Sequence, residues 1–146
     1  MASQLSHQQI LQDCHDLNNH VVPSNPLQWS VVHAPAVNNQ ATASKTAVAG
    51  QRHVCTSITA TLVADGTGGS AVSGSVVLRD GATGAGTVLW QAAMAFAGTA
   101  NTAANPIVIS GLNIVGSTNT AMTLEFSAGP GTHSQQAVTM TGYTTI

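Results

Sequence analysis

The chain is nearly without charge. Lys, Arg, Asp and Glu make up 5% of its 146 residues, where an ordinary soluble domain carries about 25%. Its three basic side chains, Lys45, Arg52 and Arg79, make no positive field to hold a phosphate backbone, so the reading includes no nucleic acid. The two cysteines, Cys14 and Cys55, cannot form a disulfide framework. No stretch approaches the ~20 apolar residues that cross a bilayer, so no membrane partner is expected. No basic, apolar leader follows Met1, and the expectation is synthesis in a reducing host cytoplasm without export. Aromatic residues are scarce too: two Trp, two Phe and one Tyr.

What replaces charge is small. The sequence holds 22 Ala, 18 Thr, 14 Gly and 13 Ser, a mixture that suits pleated strands and tight turns and disfavours long helices. A free monomer with so little charge is poorly protected against self-association. The expected state is therefore a homo-oligomer, dimer or trimer, with much of its surface facing other protein chains.

Along the chain, only residues 1 to about 20 carry a helix pattern. Ser6 and Gln9 have capping-box spacing, and Leu5 and Ile10 stand at the two positions of a hydrophobic staple. Ile10, Cys14, Leu17 and Val21 then fall on one stripe. Such a helix is marginal alone and needs a surface to dock on. Pro23, Pro26 and Pro35 punctuate residues 21–40, favouring extended chain. In this stretch Leu27, Trp29, Val31 and Val32 read as anchors of an arm lying on a neighbour, or as a first strand around Trp29–Val32; the two are compatible. Residues 1–40 are thus predicted as helix plus extended arm. Ile10, Leu17, Leu27, Trp29, Val31 and Val32 are its candidate partner contacts.

Residues 41–146 are predicted to form the β domain. Alternation over 53–64 puts Val54, Thr56, Ile58, Ala60 and Leu62 on one face and Cys55, Ser57, Thr59, Thr61 and Val63 on the other. Further strands are predicted over 75–79, 87–97, 106–115, 120–127 and 136–143. The strand over 87–97 presents Val88, Trp90, Ala92, Met94 and Phe96 to one side, and Gly111 marks a bend or bulge in 106–115. Gly-rich turns separate the strands and no helix intervenes, which argues for an antiparallel sandwich or barrel. The candidate core is Ile58, Leu62, Trp90, Met94, Phe96, Leu124 and Phe126.

Chemistry has little to work with. Six His are scattered with no zinc-type spacing, so no metal site is expected. There is no G-x-S-x-G elbow. Cys55 lies within a strand and Cys14 on the helix stripe, both as packing residues. Asp65 and Asp80 each precede a glycine, a turn role, and Glu125 points away from the core by alternation. Gly66, Gly68 and Ala71 superficially fit a dinucleotide loop, but a strand follows where a helix is required. The reading is of no catalytic residue, no cofactor and no enzyme.

The run Val77-Leu78-Arg79-Asp80-Gly81-Ala82-Thr83-Gly84-Ala85-Gly86-Thr87-Val88-Leu89-Trp90 is informative in another way. With Gly111-Leu112-Asn113-Ile114 and Ala121-Met122-Thr123-Leu124-Glu125-Phe126-Ser127-Ala128 it resembles small structural proteins of tailed phages, the capsid cement or decoration proteins. The resemblance spans roughly residues 50–143 and does not include the arm. It implies a jelly-roll-like antiparallel β-sandwich, a homo-oligomer, and binding to a major capsid protein lattice on the virion surface. Related-looking modules occur in tail and fibre proteins, which bind receptors or glycans, and that is the alternative function.

Overall fold

A computed structural model of the chain describes residues 28–146. Among them no helix is present and eight strands follow in order: β1 (Gln28–His33), β2 (Thr42–Lys45), β3 (Arg52–Ala64), β4 (Val72–Asp80), β5 (Thr87–Phe96), β6 (Ile107–Val115), β7 (Met122–Phe126) and β8 (Ser134–Thr145). They form two antiparallel four-stranded sheets, one in the order β1-β8-β3-β6 and the other β2-β7-β4-β5. Only β4 and β5 are joined as neighbours within a sheet; every other connection passes between the two sheets. The predicted helix over residues 1–20, with Ile10, Leu17 and Leu27, lies outside the described residues.

The two-residue side-chain period of a strand explains the core. Ile58, Ala60 and Leu62 from β3 and Val138 and Met140 from β8 face Val76 and Leu78 from β4, Met94 and Phe96 from β5, and Met122, Leu124 and Phe126 from β7. All are buried. Seventeen residues form one continuous buried cluster, rich in Ala, Leu and Met and with Phe96 and Phe126 its only aromatics. Half-buried Trp29, Val31, Leu89, Trp90, Ile107, Leu112 and Ile114 pack around it.

Two bulges shift the predicted faces. The register of β3 breaks between Cys55 and Ser57 against both β8 and β6. An extra residue at Thr56 reverses the alternation there. His53 and Cys55 therefore turn inward ahead of the break and Ile58, Ala60 and Leu62 after it, whereas the uninterrupted pattern put Cys55 on the opposite side from Ile58. In β5, Leu78 opposes Trp90 but Arg79 opposes Val88, leaving Leu89 extra. Leu89 and Trp90 share the inward direction and are each half-buried, while Val88 is 45% exposed. Of the predicted core, then, Trp90 is only partly covered, and Ile58, Leu62, Met94, Phe96, Leu124 and Phe126 are buried.

The β body begins at Gln28 rather than near residue 41. β1 pairs along its whole length with β8, from Gln28 opposite Tyr143 to His33 opposite Val138. Alternate strand directions gather the loops at two ends. The loops 34–41, 65–71, 97–106 and 127–133 meet at one end, tied by Asn38 N–H to Ser134 O at 2.8 Å, Asp65 N–H to His133 O at 2.9 Å and Gly69 N–H to Gly98 O at 2.8 Å. The loops 46–51, 81–86 and 116–121 meet at the other, where residue 28 joins the sheet.

Candidate interaction surface

Apart from Lys45, the few charged groups of the body are spent on its own loops. Glu125 lies on the outer face of its sheet, as alternation predicts, yet it is 2% exposed because loop 81–86 folds across it. Its carboxylate accepts the Arg79 Nε–H at 2.6 Å and the Gly84 N–H at 3.1 Å to each oxygen. Beside it the Thr123 hydroxyl donates to Gly81 O at 2.8 Å. A carboxylate so occupied is a clasp and has no free lone pair facing solvent for acid–base work. Asp80 accepts the Ser117 N–H at 2.9 and 3.0 Å, joining β4 to loop 116–121.

Asp65 does the same at the other end. It accepts the Thr67 N–H at 2.8 Å and meets His133 Nδ1 at 3.0 Å. The Thr67 amide, and then His133, hold its carboxyl below the usual carboxylate range. His53 is buried, with Nε2 donating to Thr46 O at 2.8 Å and Nδ1 accepting from the Thr144 hydroxyl at 2.9 Å. Both ring nitrogens are occupied, so His53 is a structural cross-link. Burial pushes the Cys55 thiol up to about 11, which removes it as a thiolate nucleophile near neutral pH. Among the described residues no three His, Cys, Asp or Glu side chains stand close enough to hold a metal ion.

What remains for function is the uncharged surface. On the outer face of the β1-β8-β3-β6 sheet the register aligns Val32, Thr139, Thr59 and Val108 in one row, and Ser30, Thr141, Ser57 and Ser110 in the next. A third row holds Gln28, Tyr143, Val54 and Val115, of which Val54 is itself covered. None of these twelve positions is charged. Val108 is 69% and Val32 62% exposed. On the opposite sheet two shallow apolar grooves, about 390 and 320 Å³, flank the end of β5 and share Ala95, Phe96 and Ala97.

The candidate contacts of the arm divide between two sides. Trp29 and Val31 lie on the inner face of β1 and pack against the chain's own core. The Trp29 indole stacks edge-on against His53, ring centres 5.9 Å apart. Val32 points the other way, to solvent. Among the described residues the Trp29 Nε1–H and Arg52 Nε–H find no acceptor. The apolar grooves beside β5 escaped the sequence reading, because loop 97–106, which forms one wall, carries no periodic pattern.

The described body is thus an all-β, two-sheet protein with saturated ion pairs and neutral exposed faces. No protein-family model matches the chain, and no curated protein sequence does.

Proposed function

We propose that this chain is a structural virion protein, a cement or decoration protein that binds the major capsid protein lattice of a tailed phage and stabilises the shell. It acts there as a homo-oligomer on the capsid surface and carries out no catalysis. The observation that carries this reading is the disposition of charge. Arg79, Glu125, Asp80 and Asp65 all hold loops of their own body, and the sheet faces left outward are mainly Thr, Ser, Val, Ala and Gln. Neutral faces of this kind can be covered by another protein at small desolvation cost, whereas a face of Lys or Glu cannot.

The strand orders support the finer reading of the fold as a jelly roll. In that architecture eight strands wind through two sheets so that the first neighbours the eighth and the second the seventh, and β1-β8-β3-β6 with β2-β7-β4-β5 has that order. The saturated Glu125, Asp80 and His53 and the weakly acidic Cys55 favour a binding role over an enzymatic one.

The test is decoration of purified shells that lack this protein. Binding in tens to hundreds of copies per particle, with a raised temperature of shell disruption, is the expected result. Attachment in a handful of copies confined to the tail would replace this reading with that of a tail or fibre module. No attachment to any part of the particle would refute both.

A further inference from the structure

We propose that the free edge of β5 is the homo-oligomer interface, pairing antiparallel with β5 of a second copy about a two-fold axis. This inference deepens the homo-oligomer reading above and rests on it. Among the described residues β5 is the last strand of its sheet and pairs only with β4. Its outer edge is ten residues long with neither charge nor proline, whereas edge strands of stable monomers are usually short, charged or interrupted. The edges on the opposite side of the molecule obey that rule: β2 has four residues and Lys45, and β1 has six and His33. β6, the neighbouring edge of the other sheet, is also uncharged, but its pairing with β3 is broken between Ser110 and Ile114 around Gly111, whose φ is +73°. β5 runs unbroken from Trp90 to Phe96 against β4.

The occupant is a second copy because the strand complements itself. A register centred on Ala93 sets Ala93 against its own copy, Gln91 against Ala95, Trp90 against Phe96 and Ala92 against Met94. Gln91, Ala93 and Ala95 lie on the exposed face, and Trp90, Ala92, Met94 and Phe96 on the inner one. Small alanines at the axis allow close approach, and the half-exposed Trp90 ring gains Phe96 of the second copy as a cover. With no charge on the strand, bringing two copies together creates no like-charge contact. The area is that of a modest dimer. The seven residues paired in this register, 90–96, at ~3.4 Å give a strip ~24 Å long, and two sheet edges ~10 Å apart with their side chains make it ~20 Å wide. The product, ~480 Å² per copy or about 1,000 Å² in total, is the size of a weak, reversible interface.

Sedimentation of the full chain, native and variant, tests this. The native chain is expected at twice its 14.7 kDa mass. Ala93→Lys, an exposed position, sets two like-charged side chains on Cβ atoms roughly 5 Å apart at the axis and should raise the dissociation constant at least tenfold with the circular dichroism unchanged. Ala93→Glu should do the same, and an equimolar mixture of the two variants should recover the dimer, since Lys then meets Glu. Thr59→Lys, on the outer face of the other sheet, should leave the dimer intact. A native chain that stays monomeric at tens of micromolar would overturn the homo-oligomer reading itself. A native oligomer that survives Ala93→Lys, or dissociates with Thr59→Lys instead, would overturn the β5 interface alone. If Ala93→Lys misfolds, Gln91→Lys on the same exposed face serves in its place, with the same two outcomes.

Discussion

Replacing Glu125 by Gln should be among the most costly single-atom changes in this protein. The side chain keeps its shape, so no cavity forms. What changes is that one carboxylate oxygen becomes an NH2 group. Arg79 Nε–H and Gly84 N–H both donate into this site, and the amide brings a third donor where only acceptors fit. Hydrogen bonds to a charged group contribute about 1.5–3 kcal/mol each. Glu125 is 2% exposed and gains nothing from water, while Arg79 at 19% keeps part of its hydration. A loss of about 2–3 kcal/mol is expected, near the low end for breaking a buried pair. For a body of this size that is a fall of about 10 °C in melting temperature, read by far-UV circular dichroism. Amide exchange at Gly84 should quicken together with the melting change. The double variant Arg79→Met/Glu125→Leu should cost less than the two single substitutions added together, because it leaves no charge unpaired. A Glu125→Gln protein within about 0.5 kcal/mol of the native one, or strict additivity in the double variant, would show that loop 81–86 is not held by this carboxylate.

Two further outcomes follow from the geometry. A Cβ at Gly142 would collide with the Val54 carbonyl oxygen and stand 2.6 Å from Trp29 Cζ2, so Gly142→Ala should cost about 3 kcal/mol, the upper end for overpacking; an unchanged urea midpoint would refute the close approach of β1, β8 and β3 there. Asp65 has a folded pKa below its unfolded value of about 3.9, so its contribution to stability is present above pH ~4 and lost as pH falls through the lower, folded value. The melting-temperature gap between native protein and Asp65→Asn should therefore narrow on acidification below about pH 4, and a gap constant from neutral pH downward would show that the Thr67 and His133 contacts do not favour the charged form.

Much of this protein is legible in its sequence, for a local reason. A strand's side chains alternate whatever lies beside it, so Ile58-x-Ala60-x-Leu62, Met94-x-Phe96 and Met122-x-Leu124-x-Phe126 announce both their strands and their buried faces. Glycines and Asp-Gly pairs mark the turns at 65–66 and 80–81. The outward direction of Glu125 is legible in the same way, and the shortage of charge is plain from composition. β2 is not legible, because four residues of Thr-Ala-Ser-Lys are too short to show a period. Nor is the length of β4, since Val72, Ser73 and Gly74 carry no pattern of their own.

Tertiary structure decided the rest, wherever a residue's fate depends on its neighbour. The extra residues at Thr56 and Leu89 are defined only against β8 and β4, so the inward turn of Cys55 and the partial exposure of Trp90 exist only once the strands are paired. Glu125 points outward by alternation and is buried only because loop 81–86 crosses it. Trp29 and Val31 look like anchors for any surface, and it is pairing with β8 that turns them onto the chain's own core. Alternation belongs to one strand and can be read along it; register, loop coverage and the free edge of β5 belong to pairs of segments distant in sequence, and only the folded chain brings those together.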